Sequence, residues 1–184
     1  TSTDEEIARD FILFGQPTVT VVVLDATRLE RNLNLALQIL EITDRVVVAL
    51  NLMDEAERHG VQVDARHLSK QLGVPVIPMA ARQRQGIPEL LDAVAQVAAG
   101  AYAPRPHRIQ YRDPRLERAV SELAAQVEAE FPGLPNARWV AMRLLEGNWR
   151  VRRALESGEL LTIAERQREA VRRFSRKMSL EGAQ

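Results

Sequence analysis

Cysteine is absent from the 184 residues, and its absence excludes both a disulfide framework and a cysteine-ligated metal site. The three histidines, His59, His67 and His107, lie far apart in the sequence and form no metal-ligand spacing. No apolar run approaches the roughly 20 residues that a membrane-spanning helix needs, and no signal-peptide pattern is visible. We therefore expect a soluble chain of one domain, or of one domain with a small appendage.

Acidic and basic residues are equal in number, 25 of each, but they are unevenly distributed. Residues 1–103 contain 9 Lys or Arg and 14 Asp or Glu, whereas residues 104–184 contain 16 and 11. The halves therefore carry net charges of −5 and +5, which indicates two units in different surroundings. Between them, the stretch "AGAYAPRPHRIQYRDP" interrupts helical periodicity with one glycine and three prolines. We place the domain boundary between residues 103 and 104.

The first half alternates between strand and helix patterns. The segments "TVTVVVLD", "RVVVALN" and "VPVIPM" are β-branched and apolar, as is typical of buried parallel strands. Helical periodicity follows each strand, over residues 29–42, 65–72 and 87–98, with Asp64 as the cap of the second helix and Gly73 as its end. The alternation predicts an α/β unit with a parallel sheet.

The second half shows helical periodicity only. Apolar stripes run through residues 116–131, 137–145 and 163–174, and Gly147 ends the second of them. Trp139 and Trp149 are expected to pack among these helices. This half is predicted to be a small all-helical domain.

Two polar residues, Asn51 and Asp54, follow the second predicted strand. Ligands bind at the carboxyl ends of strands in open parallel sheets. A guanine base presents two adjacent N–H donors, and one carboxylate can accept both. The loop "PMAARQRQG", after the third strand, could supply a backbone N–H for the guanine carbonyl. A helix cap at Asp54 explains the same pattern, so both interpretations stay open at this point.

Longer strings in the chain resemble a known family. The segments "VVVLDATRLERNLNLALQILE", "VVVALNLMDEAERHG", "VPVIPMAARQRQGIPELLDAV" and "NARWVAMRLLEG" are similar to the cytosolic part of the bacterial ferrous-iron transporter FeoB. The likeness covers nearly the whole chain. It implies part of a Ras-like P-loop GTPase domain, followed by a helical domain that modulates nucleotide release and then by a membrane permease.

The resemblance also implies a guanine-binding site and assigns residues to it. Leu52 stands where many small GTPases have a Lys, and Ala80 stands at the Ser of the S-A-R loop, so a hydroxyl that would brace this loop is missing. Backbone recognition by Ala81 survives that change. The implied guanine-binding residues are Asn51, Leu52, Met53, Asp54, Ala80, Ala81 and Arg82.

The phosphate side of such a site has no counterpart in these residues. The family's phosphate loop, its first switch with the magnesium-binding Thr, and the D-x-P-G of its second switch would all precede Thr1, and residues 1–16 resemble the tail of the second switch and its helix. The resemblance therefore implies GTP or GDP as ligand and a GTPase parent that needs Mg²⁺, whereas this chain has no catalytic or metal-binding residues and is expected to be inactive alone. Because the first residue is Thr rather than Met, we interpret the sequence as a fragment; alternatively, a longer chain exists whose N-terminal part is not among these residues.

The expected partners follow from the same resemblance. They are a guanine nucleotide, the permease domain of the same transporter, and the inner membrane surface at its cytoplasmic face. The membrane contact would be made by a basic C-terminal helix containing Arg166, Arg168, Arg172, Arg173, Arg176 and Lys177. No nucleic acid is expected. An unpaired apolar edge at residues 18–24 would make the fragment aggregation-prone or allow a homo-oligomer.

Two other functions fit parts of the sequence. In an RNA- or ribosome-associated GTPase fragment, the run "RQREAVRRFSRK" would form a phosphate-binding face, although Phe174 is its only aromatic residue. A pure interaction module would bind no nucleotide. The cluster of His59 with Asp54, Glu55 and Glu57 is interpreted as a polar helix face and not as a metal site.

Overall fold

The structure is a computed structural model that describes residues 3–108 and 112–181. The chain forms two compact units, residues 1–109 and 110–184. The boundary at residues 103 and 104 remains a prediction.

The first unit is built on a three-stranded parallel sheet with strand order β1-β2-β3. Its strands are β1 (Thr20–Asp25), β2 (Val46–Asn51) and β3 (Val76–Pro78). In the central strand β2 every residue from 46 to 50 is buried, as expected of a β-branched run covered on both faces. The observed strands lie within the three predicted segments and are shorter. The α/β fold class is confirmed.

Helices precede, connect and follow these strands. They are α1 (Thr3–Asp10), which continues into a π-helical turn at Phe11–Gly15, α2 (Leu29–Leu40), α3 (Met53–Arg58), α4 (Ala65–Leu72) and α5 (Ile87–Ala98). The α4 helix begins and ends as its sequence predicts. Asp64 accepts a hydrogen bond from the His67 backbone N–H at 2.9 Å, and Gly73 ends the helix with a φ of 74°.

Strand β1 has one buried and one exposed face. Val22 and Leu24 are buried, whereas Val21 is 41% and Val23 61% exposed. Within the described residues β1 pairs on one side only, with β2. The described sheet therefore has an apolar strand at its edge, as the sequence predicts.

The second unit is all helical, which confirms the prediction for this half. It consists of α6 (Pro114–Glu130), α7 (Ala137–Leu145), α8 (Trp149–Glu156) and α9 (Glu159–Glu181). Helix α8 was not predicted. Its start is fixed by Asn148, whose side chain accepts the backbone N–H groups of Arg150 and Val151, both at 3.1 Å.

Two expectations about which residues are buried in this unit differ from the structure. Trp139 is buried as predicted, but Trp149 is 69% exposed because it occupies the solvent-facing side of the first turn of α8. In the third stripe Ile163 is buried, whereas Val171 is 55% exposed; the side chain of Phe174 lies outside the described part of the structure. None of the helices in the described ranges is both long enough and apolar enough to cross a bilayer.

Candidate functional site

The candidate site lies where β2 and β3 end side by side. Leu50 and Pro78 are register partners, and the backbone N–H of Met79 donates to the carbonyl of Leu50 at 2.8 Å. The Met53 N–H then donates to the carbonyl of Met79 at 3.1 Å. These bonds continue the pairing past the strands, so the segments after β2 and after β3 are held next to each other.

Asn51 connects the two segments through its side chain. Its Oδ1 accepts the backbone N–H of Ala81 at 3.1 Å, across 30 positions of sequence. The next residue, Leu52, has φ 63° and ψ 30°, a left-handed conformation that costs a non-glycine residue about 1–2 kcal/mol. This conformation turns the chain sharply from β2 into α3. Strain of this kind concentrates at functional sites.

Asp54 does not cap helix α3. The N-cap position is Leu52, which makes no side-chain cap, and Asp54 lies within the first turn. Its Oδ2 accepts Nε2 of Gln83 at 2.9 Å and Nη2 of Arg58 at 3.2 Å. The helix-cap interpretation is therefore wrong, and the carboxylate, 23% exposed, faces the loop after β3.

The loop after β3 is closed by a short backbone bridge. Ala80 and Gln85 exchange two N–H···O bonds of 3.2 Å, and Ala80 is buried. Gly86 has a φ of 79°, and a Cβ at this position would overlap the carbonyl oxygen of Pro78, so only glycine fits here. The loop presents Ala81 and Arg82 at the surface.

The structure brings only part of the predicted set into contact. Asn51 contacts Ala81, whereas Met53 contacts Met79, which is not in the predicted set, and Arg82 has an exposed side chain. Gln83 and Arg58 contact Asp54 but were not predicted. The loop from 79 to 86 contains no Ser or Thr, which indicates that a donor of another type braces it but does not single out Gln83 among its Gln and Arg side chains.

A second carboxylate lies at the same edge of the sheet. Asp25 ends β1 and is the register partner of Asn51. Its Oδ1 accepts the hydroxyl of Thr27 at 2.6 Å and the Thr27 backbone N–H at 2.8 Å. The hydroxyl bond, aided by the backbone bond and by Arg28, lowers the pKa of Asp25 below its usual value. The ionised Asp25 carboxylate therefore holds the turn after β1 through these two bonds.

Two family models match the chain. The model described as Ferrous iron transport protein B matches residues 1–94, and the model described as FeoB cytosolic helical domain matches residues 113–181. The Fe(2+) transporter FeoB of Escherichia coli (strain K12) is 38% identical over 148 residues, which are 80% of this chain and 18% of the relative. The chain thus spans about a fifth of the length of the curated relatives that it matches.

Solved structures of similar proteins agree with this match. The cytosolic domain of the T. maritima FeoB iron transporter in its GDP form I is similar at a TM-score of 0.72 and 27% identity, covering 96% of this chain and 72% of that chain. The cytosolic domain of L. pneumophila FeoB gives a TM-score of 0.72 at 30% identity, covering 89% of this chain and 64% of that chain.

Proposed function

This chain belongs to the FeoB family of ferrous iron transport proteins, and on that premise we propose that it is part of a guanine-nucleotide-binding regulatory region. Residues 1–103 supply guanine recognition, and residues 104–184 form a helical domain that modulates nucleotide release. In the parent protein, GTP hydrolysis controls Fe(II) uptake through the permease domain. The region acts at the cytoplasmic face of the inner membrane.

The position of the Asp54 carboxylate is the observation that carries this proposal. It is held toward the loop after β3 instead of being used to cap its own helix. A carboxylate in this place accepts the ring N–H and the exocyclic amino group of guanine together, in a charge-assisted pair. Adenine does not present that pair of donors, so Asp54 selects guanine.

The other proposed site residues shape the same recognition surface. The Ala81 N–H donates to Asn51 Oδ1 at 3.1 Å, so it must leave Asn51 before it donates to the guanine carbonyl, while the Asn51 side-chain NH₂ group remains a donor for the ring edge. Leu52 and Met53 turn the chain so that Asp54 follows in the first turn of α3. Ala80 fixes the base of the loop, and Arg82 offers an exposed guanidinium beside the bound base.

The solved GDP form of the T. maritima relative supports a guanine nucleotide as the ligand. In the parent, Mg²⁺ would neutralise phosphate charge during hydrolysis. Within residues 3–108 and 112–181 no group of three or more His, Cys, Asp or Glu side chains could hold a metal ion. No magnesium ligand and no step of hydrolysis is proposed for this chain.

A second proposed contact is with the membrane surface. Helix α9 carries exposed basic side chains at Arg166, Arg172, Arg173 and Arg176, and Arg168 is half-buried. The side chain of Lys177 lies outside the described part of the structure. This face would lie against anionic headgroups, where each basic residue contributes about 1 kcal/mol.

Nucleotide binding and membrane fractionation of the full-length gene product test the proposed function together. We expect GDP and GTP to bind, ATP to be rejected, and the protein to sediment with the inner membrane. A protein that binds RNA and no guanine nucleotide would support the RNA-associated alternative. A protein that binds neither would support the interaction module.

A further inference from the structure

A side chain of the loop after β3 connects this loop to the segment after β2. Residues 79–86 contain no hydroxyl group, so only their amide and guanidinium side chains can donate a hydrogen bond. Among them, Gln83 donates from Nε2 to Oδ2 of Asp54 at 2.9 Å, across 29 positions of sequence. This bond lies beside the Asn51–Ala81 bond and is the second side-chain connection between the two segments.

We propose that Gln83 is a positioning residue of the guanine site, which orients the Asp54 carboxylate and thereby slows nucleotide release. The inference rests on the proposed function, since it assumes that Asp54 binds the base. Gln83 acts through Asp54 and does not itself need to touch the nucleotide. It takes over the bracing role for which the buried Ala80 has no hydroxyl.

The backbone around Gln83 directs its side chain. Residues Ala81–Gln83 form one turn of 3-10 helix, and the Gln83 N–H donates to the carbonyl of Ala80 at 2.9 Å. Arg84 follows with a φ of 59° and ends the turn. This tight turn fixes the Cα–Cβ direction of Gln83, so only its side-chain rotamers remain to be ordered when its amide bonds Asp54.

The Asp54 carboxylate has acceptor sites that a guanine base can use. An ionised carboxylate has about four acceptor sites, two on each oxygen. Gln83 and Arg58 both donate to Oδ2, and no donor to Oδ1 is present in the described part of the chain. A base that binds both oxygens needs one site on Oδ2, so one of the two donors must leave.

Arg58 is the donor that leaves, for two reasons. Its bond to Oδ2 is longer, at 3.2 Å against 2.9 Å for Gln83, and its Nε already donates to the backbone carbonyl of Asp54 at 3.1 Å, so Arg58 keeps a partner when it leaves the carboxylate. Gln83 is neutral and therefore holds the carboxylate without neutralising the charge that the guanine donors require. A loop that keeps the Gln83 bond remains attached to Asp54 while the base is bound.

The test compares two glutamines of the same loop in the full-length gene product. Gln85 joins the loop through its backbone, and its exposed side chain makes no hydrogen bond within the described residues, so Gln85→Ala and Gln85→Glu are the matched controls. Release of a fluorescent GDP analogue is followed by stopped flow. Gln83→Ala should speed release about tenfold, the effect of losing one hydrogen bond to a charged group, whereas Gln85→Ala should change it less than twofold.

A pH series separates positioning from a general loss of structure. Gln83→Glu places a second carboxylate against Asp54, so release should be faster than in Gln83→Ala at pH 7 and should return toward the parent rate near pH 5, where the new carboxyl gains a proton that it can donate. Gln85→Glu should show no such recovery. Equal rates in the Gln83 and Gln85 variants at every pH would overturn the inference while leaving guanine binding intact. A parent that binds no guanine nucleotide would overturn the proposed function and this inference with it.

Discussion

The carbonyl oxygen of Arg105 occupies the space that a Cβ at Gly73 would need. The Arg105 N–H donates to the carbonyl of Gly73 at 2.9 Å, and the His107 N–H donates to that of Leu72 at 3.0 Å. The ring Nδ1 of His107 also lies 2.8 Å from the carbonyl of Gln71. The segment after α5 thus satisfies the carbonyls that end helix α4, and it can approach so closely because residue 73 has no side chain.

Substitution of this glycine should be much more damaging than substitution of a similar one. Gly60 has a φ of 72°, and no atom of the described residues lies within 4 Å of the place that a Cβ would take there, whereas Gly73 has a φ of 74° and the Arg105 overlap. Gly60→Ala should cost about 1 kcal/mol of unfolding free energy from backbone strain alone. Gly73→Ala should cost about 3 kcal/mol or more, since overpacking adds to the strain. Urea unfolding monitored by circular dichroism measures both; equal losses would mean that the close approach contributes nothing.

The exposed apolar face of β1 should control self-association. Because β1 is also the edge strand of the described sheet, we expect the 184-residue chain to precipitate or to form dimers by pairing along β1. Val23→Lys should shift the chain toward monomer, because lysines on an edge strand oppose strand pairing. Val61→Lys places the same charge at another exposed valine and serves as the control. Light scattering after size-exclusion chromatography reports the state. A parent that runs as a monodisperse monomer would contradict this expectation.

Helix α9 should bind vesicles according to lipid charge. The double variant Arg172→Glu with Arg173→Glu should lose binding to vesicles that contain phosphatidylglycerol, and binding of the parent should weaken as salt is raised. The variant Arg152→Glu with Arg153→Glu, on helix α8, makes the same change in charge and should retain most of the binding. Flotation of the protein with vesicles measures this. Binding that is indifferent to lipid charge and salt would remove the proposed contact.

The ion pair between Arg150 and Glu159 should give the second unit an acid-sensitive contribution to stability. Arg150 donates two hydrogen bonds to Glu159, of 2.8 and 2.9 Å. These bonds are the main reason why the pKa of Glu159 lies below its usual value. A carboxyl whose pKa is lower in the folded than in the unfolded state stabilises the fold at pH values above its unfolded pKa. This stabilisation is lost as the pH falls through the folded pKa. Glu159→Gln should therefore cost about 0.5–1 kcal/mol at pH 7 and almost nothing at pH 2–3.

The control for this prediction is Glu156→Gln, which removes an exposed carboxylate three residues earlier, at the end of α8. Thermal unfolding from pH 7 to pH 2 compares the two variants with the parent. A Glu159→Gln loss that stays constant across this pH range would show that the pair acts through packing and not through charge.

Local signals were sufficient to predict most of the first unit. Asp64 and Gly73 mark the two ends of α4, and the run at 46–51 could only be a buried strand, because each signal acts through the backbone within a few residues. Helix α8 was missed because half of its eight residues are charged and it is too short to show a long apolar stripe. Trp149 was misplaced because hydrophobicity does not reveal which face of a short helix turns outward.

The candidate site was predictable to the extent that its residues follow strands directly. Asn51 and Asp54 were found because a parallel strand delivers them to a known edge of the sheet. Gln83 was not found, since its contact with Asp54 depends on a left-handed Arg84 and on a 3-10 turn that the sequence does not specify. Tertiary pairs between two loops are therefore the part that only the structure provides.

The central claim is that Asp54 recognises guanine, and exchange of its carboxylate for an amide tests it most directly. Asp54→Asn places an N–H donor against the guanine donors, and a mispaired polar site can reject a ligand by about 10⁴-fold. Xanthine carries a carbonyl in place of the exocyclic amino group, which the new amide can bond. Titration of GTP and XTP against the full-length gene product and its Asp54→Asn variant should show GTP binding lost and XTP binding gained. Unchanged GTP affinity in the variant would contradict the account.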